Sequence, residues 1–283
     1  NGEMSISATG AGAAGMLAGA MISTTVENVK VNADVEFKGT ITSDRFATGG
    51  VVGFTYGTGD ANSLIKDCVM TGNVNAVSGD GNTANGATAA VYGGITGFST
   101  TPAESANVIA NCENNGKITA SLGRCSGIVA TAHAGTTISG CVNNADQVNT
   151  FGDGRIGNIV SVIGTKGRIE DCINNGNLTT TTAKTTTGAI AALLNESHVV
   201  IKGGRNNGTI IGGNTSTIGL IAANFSKFSS VSGFTVSGKI GYYKEDGNHE
   251  MQDLNEGTYM KFIGKITSAN LAKVTDIKFE PAK

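Results

Sequence analysis

Five cysteines carry the most reactive side chains in this sequence: Cys68, Cys112, Cys125, Cys141 and Cys172. Recurring thiols can serve as metal ligands, redox pairs or nucleophiles, and each use has a signature. Zinc and redox sites gather closely paired cysteines, and a nucleophilic thiol needs a cationic or basic neighbour to lower its pKa. No C-x-x-C pair occurs here. Four of the five instead close one phrase, "IKDC", "IANC", "ISGC" and "IEDC", while Cys125 stands apart. A stack of small, soft side chains in a core accounts for the four without any chemistry. Free thiols are expected, because stacked parallel strands hold adjacent β-carbons near ~4.8 Å, beyond the roughly 3.8 Å a disulfide prefers.

The remaining candidates are sparser. His133, His198 and His249 fall at unrelated positions of the repeat described below, so each reads as a surface or loop histidine. Asp67 and Asp171 share the slot before the cysteine, where paired carboxylates could act as acid and base or hold calcium. Asn111 and Gly140 occupy that slot in the copies between them. Arg124 and Arg155 precede successive glycine phrases without a carboxylate beside them. The loop "SGDGNTANG" (78–86) offers Asp80, Asn82 and Asn85 as oxygen ligands, yet one carboxylate is fewer than calcium usually takes, and a glycine-rich turn is expected. The run "TTTTAKTTT" (179–187) reads as a polar loop. No catalytic, cofactor-binding or metal-binding residue is therefore assigned. One group leans toward binding: Phe54 and Phe98 share a slot on neighbouring copies, with Tyr56 and Tyr92 close in sequence. Stacked outward, these four would form a ligand platform for sugar rings or an apolar partner; turned inward, the two Phe would fill core.

What positions these residues is a repeat. Aligned on the cysteine, one slot holds Val29, Cys68, Cys112, Cys141, Cys172, Gly204 and Phe234. Three residues earlier stand Val26, Ile65, Ile109, Ile138, Ile169, Ile201 and Val231, all apolar and β-branched. Six residues later stand Val35, Val74, Ile118, Leu178, Ile210 and Ile240; the fourth copy carries Val148 one residue out of step, so a small bulge is expected over 145–148. A glycine phrase precedes each copy and aligns on Gly15, Gly50, Gly94, Gly127, Gly157, Gly188 and Gly219. The last five of these are spaced by 33, 30, 31 and 31 residues, and the wider first gaps, 35 and 44, mark early insertions.

Seven units of about thirty residues with no helical period fit the coils of a single-stranded parallel β-helix, each with about three short β segments. Composition agrees, with 42 Gly, 2 Pro, 15% charged residues and no Trp, in a text dominated by Thr, Ser, Asn, Val and Ile. In such a stack the β-branched slot forms an inward aliphatic ladder. The cysteine slot faces the same way only if a bend intervenes, since three steps along a plain strand reverse the side. Asn32, Asn115, Asn144, Asn175 and Asn207, with Thr71 and Ser237, are expected to form a side-chain ladder. Gly72, Gly116, Gly176, Gly208 and Gly238 just after it are expected to supply a positive φ.

"GGVVGF…IKDCVMTGNV" and "GGITGF…IANCENNGKI" resemble the GLUG-type repeat of bacterial surface proteins, most clearly in the second and third copies. The resemblance spans most of residues 10–240 and implies an extracellular or cell-surface, adhesin-like β-solenoid; it brings no catalytic residues. Right-handedness follows only from the habit of such folds. The solenoid is expected over 1–240. Residues 241–283, with six Lys and seven Asp or Glu, read as a C-terminal cap of the same domain, a last irregular coil plus a strand or short helix.

A net charge of −2 with scattered Lys and Arg offers no basic patch for nucleic acid. The longest apolar run, at Gly188–Leu194, is far too short to cross a membrane. The start at Asn1, without a methionine or signal peptide, reads as a mature or trimmed chain. Three functional readings follow: a non-catalytic module contacting glycan or a surface protein, a carbohydrate-active β-helix enzyme of lyase or hydrolase type, and a structural spacer.

Overall fold

The computed structural model describes residues 2–6, 12–39, 46–59, 61–78, 90–102, 106–121, 123–150, 154–181, 185–195, 197–212, 217–243, 249–252, 263–266 and 273–280. It is an all-β parallel β-helix of about seven coils, with further strands at both ends. Each coil carries five short strands where three were expected. In the third coil these are Ala90–Gly93, Thr96–Thr100, Val108–Ala110, Glu113–Asn114 and Ile118–Ala120. Stacked coil on coil, they form five parallel sheets, called I to V here in chain order, of seven, eight, eight, eight and nine strands. The two extra strands per coil come from bends within phrases: the glycine phrase breaks between sheets I and II, and the cysteine phrase between III and IV.

The second bend lies where the facing argument requires it. The residue before the cysteine slot has positive φ at Asn28, Asp67, Asn111, Gly140, Asp171, Gly203 and Gly233, and again at Asp276. Only Asn, Asp and Gly fill this slot, the residues that reach the left-handed region at least cost. Each bend restores the inward direction, so Ile109 and Cys112, or Ile169 and Cys172, are buried together. The aliphatic ladder runs unbroken in register from Val26 through Ile65, Ile109, Ile138, Ile169, Ile201 and Val231 to Val274. Fully burying such a side chain is worth about 1.5–3 kcal/mol, so this one column is a substantial part of the core.

Sequence alignment and register differ in two places. Gly15, Gly49, Gly93, Ser126, Gly157, Gly188 and Gly219 stand above one another, so the second to fourth glycine phrases shift by one residue from an alignment on Gly50, Gly94 and Gly127. Two small residues stand in a row at each of these phrases, so composition alone does not set the register. In the fourth coil there is no bulge: Gln147 pairs with Ile118 and Leu178 and is buried in the apolar column, while Val148 lies alongside Thr119 and Thr179. A polar residue thus holds an inward slot. Its Nε2 lies 3.5 Å from the Asn158 carbonyl, and its Oε1 has no hydrogen-bond partner among the described residues.

The glycines after the asparagines also act otherwise than expected. None of Gly72, Gly116, Gly176, Gly208 and Gly238 has positive φ. They are there for space: a β-carbon on Gly116 would stand 1.7 Å from the Gly72 carbonyl oxygen, and one on Gly176 would stand 2.0 Å from that of Ala145. Stacking at the pitch of a sheet brings this turn directly onto its neighbour's carbonyl.

At the C-terminal end, Ile263–Ile266, Lys273–Thr275 and Lys278–Phe279 add an eighth, partial coil to sheets II, III and IV. His249–Gln252 pairs antiparallel with Ile240–Tyr243 and ends sheet V with a strand of opposite direction.

Candidate functional site

The cysteine column is built into the core. Cys68, Cys112, Cys141 and Cys172 are buried and unbridged, as is Cys125, which lies in sheet I between Tyr92 and Ile156. Each thiol of the column sits over the carbonyl two residues before it, such as Cys112 over Ala110 at 3.3 Å and Cys141 over Ser139 at 3.4 Å. A hydrogen bond with the Cys141 thiol, followed by burial, pushes Cys112 up to about 12. Burial pushes Cys125 up to about 12, and burial together with the neighbouring Cys172 thiol holds Cys141 well above the ordinary thiol value. Nucleophilic and redox cysteines need the opposite shift. Among the described residues no group of three or more His, Cys, Asp or Glu could hold a metal ion.

The asparagines form two ladders rather than one. On the outside, Asn144 donates to Asn115 at 2.9 Å, Asn175 to Asn144 at 2.7 Å and Asn207 to Asn175 at 2.7 Å; Ser237 and Thr71 add hydroxyl bonds to Asn207 and Asn32. Inside, the first asparagine of each pair makes a second ladder. Asn114 donates to Asn143 at 2.8 Å, Asn143 to Asn174 at 3.0 Å and Asn174 to Asn206 at 2.8 Å. Each inner amide also donates to the carbonyl two residues on, as Asn174 does to Gly176 at 2.9 Å. The inner ladder donates toward the C-terminal end and the outer one toward the N-terminal end. Alternation was the available signal: where a strand ends on the first of two consecutive asparagines, the two side chains point to opposite faces.

The polar candidates disperse. Asp67 and Asp171 occupy the left-handed corner before the cysteine, and Asp67 pairs with its own neighbour Lys66 at 3.2 Å. Arg124 and Arg155 do share one outward slot on adjacent coils of sheet I, and Arg124 Nη1 lies 3.3 Å from Thr131 Oγ1. His133 stands tilted against Phe98, and His198 stands on an exposed corner between sheets II and III. Asp80, Asn82 and Asn85 lie outside the described residues, as do Thr182–Lys184 of the threonine run and the side chain of His249.

Of the four aromatic candidates the structure groups three. Phe54 and Phe98 are in register in sheet II, their rings stacked at 5.6 Å and 15°. Tyr56 lies 6.2 Å from Phe54 at 14°, and His133 meets Phe98 at 4.8 Å and 55°. This row crosses three coils. It sits on a small apolar cluster of its own, Ala47, Val91, Phe98 and Ala130, separate from the main core. Phe98 is only 4% exposed, whereas Phe54 and Tyr56 are half-buried. Tyr92 is not part of the row: it points into the main core with no exposed surface, 5.5 Å from Phe37. Alternation again decides, since Val91 faces the row and the next residue must face away.

Comparison with known proteins matches no family model, no curated protein and no solved structure.

Proposed function

We propose that this chain is a non-catalytic, secreted or cell-surface module that works by contact, binding glycan or another surface protein along the rod. The observation that carries this reading is the Phe54–Tyr56–Phe98–His133 row on the outer side of sheet II. The half-buried rings of Phe54, Tyr56 and His133, grouped around the buried Phe98, present an amphipathic surface suited to sugar faces or an apolar partner. The repeated thiols and amides offer no competing chemistry, because their bonding is used within the stack. The resemblance to GLUG-type repeats supports the surface location.

The test is a glycan array probed with the intact chain beside a Phe54→Ala, Tyr56→Ala double variant. Both positions are half-buried, so a small loss of stability is expected, and melting is measured alongside. Binding by the parent that is lost in a folded variant supports the reading; equal binding by both would remove the row from it.

A further inference from the structure

Two residues before five of the strands of sheet III the chain turns a second corner. Five coils turn it through a left-handed residue: Ser23 (φ 47°), Gly135 (φ 76°), Lys166 (φ 58°), His198 (φ 61°) and Phe228 (φ 59°). The corner before the cysteine slot takes only Asn, Asp and Gly. Here three successive coils carry Lys, His and Phe, for which this conformation costs about 1–2 kcal/mol each.

The fold returns little for that cost. Lys166, His198 and Phe228 are all exposed, Phe228 to 46%. Phe228 and His198 stack on each other at 5.1 Å and 17°, and the imidazole is steadied by Ser197, whose Oγ lies 2.9 Å from Nδ1. Lys227, next to Phe228, is exposed on the same turn. Of the charges beside the corner on sheet III, Arg168 is held by Glu170, while Lys202 stands exposed. Glu196 lies outside the described residues. The parallel ring pair thus has one exposed lysine at the same corner a coil earlier, Lys166, and another beside it in the chain, Lys227, over two coil steps of about 4.8 Å each.

We propose that the Lys166–His198–Phe228 corner, with Lys227, binds an acidic polysaccharide. One sugar ring lies on the His198–Phe228 stack, and its carboxylate or sulfate is held by the flanking lysines. A stacked ring pair offers its π face to the C–H face of a pyranose, and lysines select an anionic chain over a neutral one. This inference extends the contact reading to a stated ligand class, but it uses the fifth to seventh coils, whereas the aromatic row uses the second to fourth. A Phe54, Tyr56 variant that still binds acidic polymer would therefore leave the corner standing whatever the glycan array shows for the row.

The experiment immobilises polygalacturonate, dextran sulfate and neutral dextran and measures binding of the full chain by interferometry, at low salt and at high salt. Three proteins are compared: parent, Phe228→Gly, and a Lys166→Gln, Lys227→Gln pair. Parent is expected to bind one or both acidic polymers and not dextran. Phe228→Gly is expected to weaken binding at least tenfold with an unchanged or higher melting temperature, because glycine relieves the left-handed strain. The lysine pair is expected to weaken binding similarly and to flatten its salt dependence. The proposal is overturned if parent ignores both acidic polymers, or if Phe228→Gly binds like parent. It is equally overturned if Phe228→Gly melts clearly lower, which would make the ring a structural contact. Capture by phosphatidylserine vesicles without polymer binding would point to a membrane surface instead.

Discussion

Removing Asn174 tests whether the inner amide ladder holds the coils together. Asn174 donates to Asn206 Oδ1 at 2.8 Å and to the Gly176 carbonyl at 2.9 Å, and accepts from Asn143 Nδ2 at 3.0 Å, all fully buried. In Asn174→Ala these three bonds vanish. Two of the abandoned acceptors keep another donor: Gly208 N still reaches Asn206 Oδ1, and Asn158 Nδ2 still reaches Gly176 O. One N–H of Asn143 is left buried without an acceptor. Three bonds at about 1 kcal/mol each, with the stranded N–H adding to them, put the loss at roughly 3–5 kcal/mol. Asn175→Ala is the control. It removes two ladder bonds of 2.7 Å on the exposed side, where water substitutes, for about 0–1 kcal/mol.

Thermal melts by circular dichroism give the first reading, at roughly 2–4 °C per kcal/mol for a chain of this order of size. Coils touch mainly their neighbours, so amide exchange is the sharper assay. Asn174→Ala should lose protection in peptides covering 141–149 and 204–212 while 64–76 keeps it. If Asn175→Ala costs as much as Asn174→Ala, or if Asn174→Ala costs under about 1 kcal/mol, the inner ladder is incidental to stability and the reasoning fails.

Two further outcomes follow from glycine and thiol chemistry. Gly176→Ala should destabilise strongly, because its β-carbon would stand 2.0 Å from the Ala145 carbonyl oxygen; Gly233→Asn should be neutral or stabilising, since φ is 64° and the nearest atom to a new β-carbon is 3.7 Å away. Paired melts decide it, and equal losses would contradict the distinction between space and φ. Cys112 and Cys125 are raised from an ordinary value of 9.0 to about 12. The unfolded chain therefore releases these protons first, and their contribution is complete below pH 9 and lost as pH rises toward 12. A Cys112→Ala, Cys125→Ala variant should show a shallower fall in melting temperature across that window, and an unchanged slope would exclude the thiols as its source.

What the sequence made legible is what the stack must repeat. The β-branched column from Val26 to Val231 and the outer asparagines could be read directly, because a coil that fails to match its neighbours cannot pair with them. Reading failed where one residue type serves two physical ends. Glycine marks either positive φ or a close carbonyl, and the two were exchanged: the Asn, Asp and Gly composition before the cysteine was the true φ signal, while Gly116 and Gly176 are close approaches. It failed also where period and alternation conflict, as at Tyr92 among the aromatics and Gln147 in the apolar column. Side-by-side packing of sheets I and II, which sets the Phe54–Phe98 row on its own small cluster, depends on the bend angle at the glycine phrase and has no one-dimensional trace.

In a solenoid, then, recurrence and function are separable by cost. A residue that recurs and is bonded within the stack, such as Cys141 or Asn174, is explained by the stack. A residue that carries an energetic cost and faces outward has no explanation inside it. Gln147 meets the first half of that description but is buried, so its cost is a property of the core. Lys166, His198 and Phe228 meet both halves: each takes a conformation the neighbouring corner reserves for Asn, Asp and Gly, and each directs its side chain to solvent. Because glycine at Gly135 makes the same turn without that cost, the turn itself does not require them. The proposed contribution lies outside the chain, and Phe228→Gly separates the two roles: a folding residue would lower the melting temperature, and a binding residue would lower only the affinity.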